Sequence, residues 1–151
     1  MKIVFLTLVF LYSGQLMAGD LHQIKPHPSL TPKDVVRIVM NALKNNDHPN
    51  KNNGIAITFN FASPANKQNT GPLSRFTSII KGQTYNPMIN HSSATYEKYN
   101  VMSNRASVDV ILVSSDRKTY GYRFGLSQQN KNKYEGSWMI DTVIPIQVTT
   151  L

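Results

Sequence analysis

Asp109, Arg123 and Asp141 are the residues of this chain whose types and spacing best suit them to act together. Each sits at an odd position of a stretch whose even positions are apolar or aromatic, and strand residues alternate faces. Pairing Ser114 with Lys118 puts Asp109 opposite Arg123, and pairing Ser127 with Ser137 puts Arg123 opposite Asp141. The row Asp109–Arg123–Asp141 would then cross three neighbouring strands, each opposite-charge pair contributing about 0.2–1 kcal/mol. It reads first as a structural ladder and second as a ligand anchor. A slip of one residue in register would take the row apart.

Asn66, Lys67, Thr70 and Arg75 form a second polar group. Capping and hydrogen bonding at a turn between two helices accounts for it. The alternative is an anion or carboxylate site, with the N–H groups of a helix start at Gly71 flanked by Lys67 and Arg75. Tyr120, Tyr122 and Trp138 lie at even positions and either line a cavity or fill a core. A general base must reach the proton it takes, and strand alternation turns Asp109 and Asp141 away from those rings. No catalytic residue is therefore assigned. His22, His27, His48 and His91 show no metal-ligand spacing, so neither a metal nor a cofactor is expected. The chain has no Gly-rich phosphate loop, no serine nucleophile elbow and no carboxylate pair suited to glycoside chemistry.

The elements that must position these residues fall into two blocks. Thr31-Pro32-Lys33-Asp34 starts a helix, with Thr31 as cap, Pro32 in the first turn and Asp34 facing the positive dipole end. Val35, Val36, Ile38, Val39, Ala42 and Leu43 follow at helical spacing, and the helix should stop near Asn45-Asn46. A second short helix is expected from Asn53-Gly54 to about Ala62, burying Ile55, Phe59 and Ala62, with a strand as the alternative that its Ile, Thr and Phe content offers. Ser63-Pro64 ends it, because proline disfavours helical geometry in the residue before it. A third helix runs from about Gly71 to Lys81, capped by Thr70, with Leu73, Phe76, Ile79 and Ile80 buried and Gly82 as a left-handed C-terminal cap. A short turn occupies Tyr85 to Asn90.

From Ser92 the pattern becomes β, with strands near 94–101, 106–114, 119–128 and 137–148. Val108, Val110, Leu112, Tyr120, Tyr122, Phe124, Leu126, Trp138, Ile140 and Ile144 are the even positions, expected to pack beneath the helices. Helices first and strands after point to an α+β fold, with N-terminal helices on one curved antiparallel sheet of about four strands.

Residues 1–18 read as a signal peptide: Lys2, an apolar run from Ile3 to Tyr12, and a small-residue cleavage site at Leu16-Met17-Ala18. Residues 19–30, with two prolines, form a tether, and residues 31–148 a single domain. That run is short of the roughly 20 residues a membrane span needs, so no integral span is expected after cleavage. The protein should be exported, periplasmic or secreted. The absence of cysteine removes disulfides and thiol chemistry. The formal charge of +8 is uneven: residues 21–91 carry eight Lys or Arg against Asp34 and Asp47. Export argues against nucleic acid as a partner; the excess reads first as solubility and a lysine- and asparagine-rich composition, and second as contact with an anionic envelope surface through Lys33, Arg37, Lys44, Lys67 and Lys81.

Two blocks carry a family resemblance. One is Phe61-Ala62-Ser63-Pro64-Ala65-Asn66-Lys67 with Thr70-Gly71-Pro72 and Arg75-Phe76; the other is Gly136 with Trp138-Met139-Ile140-Asp141 and Val143. They resemble an uncharacterised domain-of-unknown-function family of bacteria and plant plastids, similar to the nuclear-transport-factor-2-like (cystatin-like, SnoaL-like) superfamily of cone-shaped domains. The resemblance implies that cone and no catalytic residue. Relatives of the fold use the space between sheet and helices for catalysis, as ketosteroid isomerase-like members do with a carboxylate base and tyrosine donors. The expected function is a non-enzymatic module that binds a small apolar ligand or a protein partner, including a second copy. The alternatives are an isomerase- or cyclase-like enzyme using the same cavity and a binder of anionic surface.

Overall fold

Thr31 starts the first helix reciprocally: its hydroxyl accepts from the Asp34 N–H at 3.2 Å, and the Asp34 carboxylate accepts from the Thr31 N–H at 3.0 Å. The hydrogen bonds from Thr31 hold the Asp34 carboxyl below its usual range. The computed structural model of the chain describes residues 24–148. The expected signal peptide, residues 1–18, and His22 lie outside the described residues. Of the expected tether, Ile24 and Leu30 pack against the core.

Helix α1 spans Pro32–Lys44 and buries Val35, Val36, Val39, Met40 and Leu43. Burying side chains of this kind contributes about 1.5–3 kcal/mol each. Helix α2, Asn53–Phe61, lies against it. Gly54 makes that contact possible, since a Cβ there would stand 2.1 Å from the Ala42 carbonyl oxygen. Asn46, almost fully buried, accepts from the Ile55 N–H at 3.1 Å and so satisfies one of the donors orphaned at the start of α2.

Ser63-Pro64 ends α2 and also opens a helix absent from the sequence expectation. Ser63 accepts from the Asn66 N–H at 3.2 Å as the cap of α3, Pro64–Thr70, with Pro64 at its first position. Thr70 is thus the last residue of α3, where a cap for the next helix was expected. Helix α4, Leu73–Ile80, buries Phe76 and Ile80 but leaves Leu73 exposed. Gly82 is not left-handed: α4 closes through Lys81 in right-handed geometry, and the chain turns on through Gly82 into a 3-10 turn at Asn86–Met88.

Four strands follow: β1 Ser93–Met102, β2 Arg105–Val113, β3 Thr119–Gln128 and β4 Trp138–Ile146. They form one antiparallel, curved and unclosed sheet in the order β1-β2-β3-β4. The fold is α+β, with four α-helices among the described residues. The tight β2–β3 connection sets Ser114 against Lys118 and Asp109 opposite Arg123, as the spacing predicts. Val108, Val110, Leu112, Tyr122, Phe124 and Leu126 are buried beneath the helices.

β4 departs from the expected register. Ser127 faces Met139, and the pairing then slips so that Leu126 faces Ile140 while Gly125 faces Thr142. Asp141 is the extra residue of a β-bulge, which reverses the side-chain alternation after it. Val143 therefore packs on the core, and Ile144, expected inside, is 50% exposed. Arg123 faces Ile144, not Asp141, so the three-residue charged row does not form.

Candidate functional site

A cavity of about 250 Å³ opens between the sheet and the helices, bounded by α1, α2, α3, α4, the turn at 86–88 and β4. Its walls are mostly apolar: Val39, Leu43, Phe76, Ile80, Met88 and Phe124 supply much of them. Thr58, Asn66, Thr70 and Tyr85 supply polar side chains, while Thr142, exposed after the bulge, carries its hydroxyl over Gly125 on the other face of the sheet.

Three of these polar contacts explain how the hollow is held. The Ser63 N–H donates to the Ile140 carbonyl at 2.8 Å, and the Asn66 side-chain amide donates to the same oxygen at 3.2 Å. The Tyr85 hydroxyl donates to the Val143 carbonyl at 3.0 Å. β4 is an edge strand, and these bonds tie its free edge to α3 on one side and to the 3-10 turn on the other. Thr70 donates to Asn66, at 2.9 Å from both its backbone and side-chain oxygens, and Thr58 donates to the Gly54 carbonyl at 2.8 Å.

The candidate residues from sequence are divided by the fold. Asn66 and Thr70 line the cavity. Lys67 turns away from it: its ammonium donates to the Asn60 carbonyl at 3.1 Å and stands 5.4 Å from the ring centres of both Phe59 and Tyr134. Burial lowers the pKa of Lys67. Arg75 is exposed on α4. Tyr120 and Tyr122 line a second, more open recess of about 370 Å³ at the end of the sheet, with Gln83, Thr84 and Pro145. Tyr122 donates to the Thr84 carbonyl at 2.9 Å, and burial pushes its phenol up to about 12. Trp138 is buried in the core. Of the basic residues considered for anionic surfaces, Arg37 and Lys44 are exposed on α1, while Lys33 is half-buried.

Asp109 and Arg123 form a bidentate pair, with Nε and Nη2 at 2.6 and 2.7 Å from the carboxylate oxygens. The Asp109 side chain is 3% exposed and that of Arg123 44%, so the guanidinium covers a buried carboxylate from the solvent side. The same hydrogen bonds raise the pKa of Arg123. Asp141 belongs to another group. Its carboxylate accepts from the Ser127 hydroxyl at 3.0 Å and lies 3.5 Å from Arg105. Asp141 borders the cavity, yet its carboxylate is engaged on the opposite face of the sheet, leaving no carboxylate poised as a base among the described lining residues.

His91 is buried, and its Nδ1 lies 2.8 Å from the Met88 carbonyl, which can only accept, so the ring donates there. Burial holds its pKa below the ordinary value. Among the described residues no group of three or more His, Cys, Asp or Glu side chains is placed to hold a metal ion. No described helix is long and apolar enough to cross a membrane.

Neither Thr58 nor Tyr85 stands out in the sequence. Threonine in an apolar helix and tyrosine beside a Pro-containing turn are ordinary, and a hollow is a deficit of atoms that no single residue type announces. No curated protein and no solved structure matches the chain. Residues 29–150 match the family described as Domain of unknown function (DUF4864), and the chain belongs to that family.

Proposed function

We propose that the protein is an exported, non-enzymatic module that binds a small apolar ligand between its sheet and helices. The observation that carries this reading is the 250 Å³ hollow with mostly apolar walls and a few polar side chains. Protein interiors are otherwise close-packed, and concave apolar sites with a few placed polar groups are the usual form of ligand pockets. The engagement of the Asp141 carboxylate with Ser127 and Arg105 weighs against acid–base catalysis. The order of helices followed by an antiparallel meander supports a nuclear-transport-factor-2-like cone. Export rests on the charged, apolar and small-residue pattern of residues 1–18; expression in a secreting host should give a mature chain lacking them.

Titrating the full chain with toluene, a probe with no polar group, tests the cavity. Saturable one-to-one stabilisation is expected, and it should be lost in Ile79→Trp, which fills the mouth from a half-buried position. Absence of saturable binding by the folded wild-type chain would remove the ligand reading.

Tyr99, Val101 and Met102 favour a second reading, association through β1. They are 46%, 43% and 70% exposed near the end of an edge strand, where unpaired backbone groups invite another chain. Sedimentation equilibrium of the wild type and of Met102→Lys would detect such a dimer. A concentration-independent monomer mass in both would exclude self-association.

A further inference from the structure

We infer that the cavity selects a neutral ligand whose polar end donates a hydrogen bond, an alcohol or phenol rather than a carboxylate or phosphate. The inference rests on the ligand-binding reading above and concerns what that ligand must carry.

The hydrogens of the polar lining are largely spent. Tyr85 and Thr58 each point their single hydroxyl hydrogen at a backbone carbonyl, of Val143 and Gly54 respectively, and a carbonyl can only accept. Thr70 spends its hydrogen on Asn66, whose two oxygens both lie at 2.9 Å. The Asn66 amide orientation follows from the bond its nitrogen donates to the Ile140 carbonyl. What these groups retain for a ligand is lone pairs on the Tyr85, Thr58 and Thr70 oxygens. Against them stands one further hydrogen on the Asn66 amide.

Charge points the same way. Neither Lys, Arg nor His is among the residues lining the cavity. Lys67, one helical residue from Asn66, is drawn off to the Asn60 carbonyl. An anion entering this site would lose water without gaining a cation, and burying an unpaired charge is costly. The positive charge of the chain as a whole acts from a distance and is screened over about 8 Å at physiological salt.

Size limits the ligand further. A cavity of about 150 Å³ holds benzene, so a volume of about 250 Å³ corresponds to roughly ten non-hydrogen atoms.

The test is calorimetric titration of the full chain with 1-octanol and with octanoate, near neutral pH and about 0.15 M salt. The two probes share an apolar chain and differ in whether the polar end donates or carries negative charge. Saturable binding of 1-octanol, with octanoate at least about tenfold weaker, is the expected result. Octanoate binding as tightly as 1-octanol, or more tightly, overturns the inference while leaving the cavity a ligand site. Toluene binding with neither octyl probe binding also overturns it. Failure of all three probes, toluene included, removes the ligand reading itself.

Discussion

The contact between α1 and α2 is closed by direct touch, whereas β4 is held at the edge of the cavity by hydrogen bonds from α3 and from Tyr85. In the first region Val35, Val36, Met40, Ile55, Ile57 and Phe61 are at most 2% exposed, and Gly54 lets the backbones meet. In the second, Ile79 and Val143 are only partly buried, and polar bonds to Ile140 and Val143 fix the strand edge across an unfilled volume. Apolar contact gains energy in proportion to buried area, so it drives a region to fill. A polar bond has a set length and direction, so it can hold two elements at a distance without filling what lies between them. Stability and recognition are thereby assigned to different parts of one core.

The sharpest way to break the contrast is Gly54→Val. Its Cβ would meet the Ala42 carbonyl at 2.1 Å, a backbone atom that cannot swing aside, and α1 and α2 must part. A loss of about 3 kcal/mol or more is expected in urea denaturation; a loss below about 1 kcal/mol would show that the helices are not held together there. Phe61→Ala follows, at about 3–5 kcal/mol, because the fully buried ring leaves a cavity that the closed region cannot collapse. The matched change across the cavity is Ile79→Ala. Its half-buried side chain already faces free volume, and a loss of about 1 kcal/mol is expected. Equal losses from Phe61→Ala and Ile79→Ala would erase the distinction between the two regions.

The start of α1 and the pairing of β2 with β3 were the most legible in sequence. Thr31, Pro32 and Asp34 mark a helix start by chemistry that acts within four residues, and the alternation in β2 and β3 is locked by a short turn. β4 was legible as a strand but not in register. The connection from Gln129 to Gly136 is long enough to permit several pairings, and an added residue at Asp141 has no local signature. Pro64 was read as a stop because proline disfavours helix in the residue before it. The same residue is favoured at a first helical position, and the Ser63 hydroxyl makes it a start as well. Asn66 was visible as a polar residue at this junction, but its bond to Ile140, 74 positions away, depends on tertiary packing.

Tyr85→Phe is a milder probe of the open side. It removes the hydroxyl that the Val143 carbonyl accepts from and leaves the ring in place, so a loss of about 1 kcal/mol is expected. The cavity reading adds a second consequence: toluene affinity should change little, because the ring remains, while 1-octanol affinity should fall. Parallel losses for both probes would mean that the bond holds the cavity open and takes no part in polar recognition.

Acid supplies the finest test, through His91 beside the 3-10 turn. The ring is 3% exposed, donates to the Met88 carbonyl and lies within the field of Lys44, and burial lowers its pKa from 6.5. The unfolded chain therefore takes up the proton at higher pH than the folded chain does. Where the unfolded state binds more protons, stability rises with pH, so this contribution is lost as pH falls below about 6.5. The midpoint of thermal unfolding should decline between about pH 7.5 and 5.5, above the range in which ordinary carboxylates titrate. His91→Gln, which keeps a side-chain donor but does not titrate, should flatten that decline. An unchanged slope in the variant would place the proton uptake at another group and remove His91 from the account of how this core responds to acid.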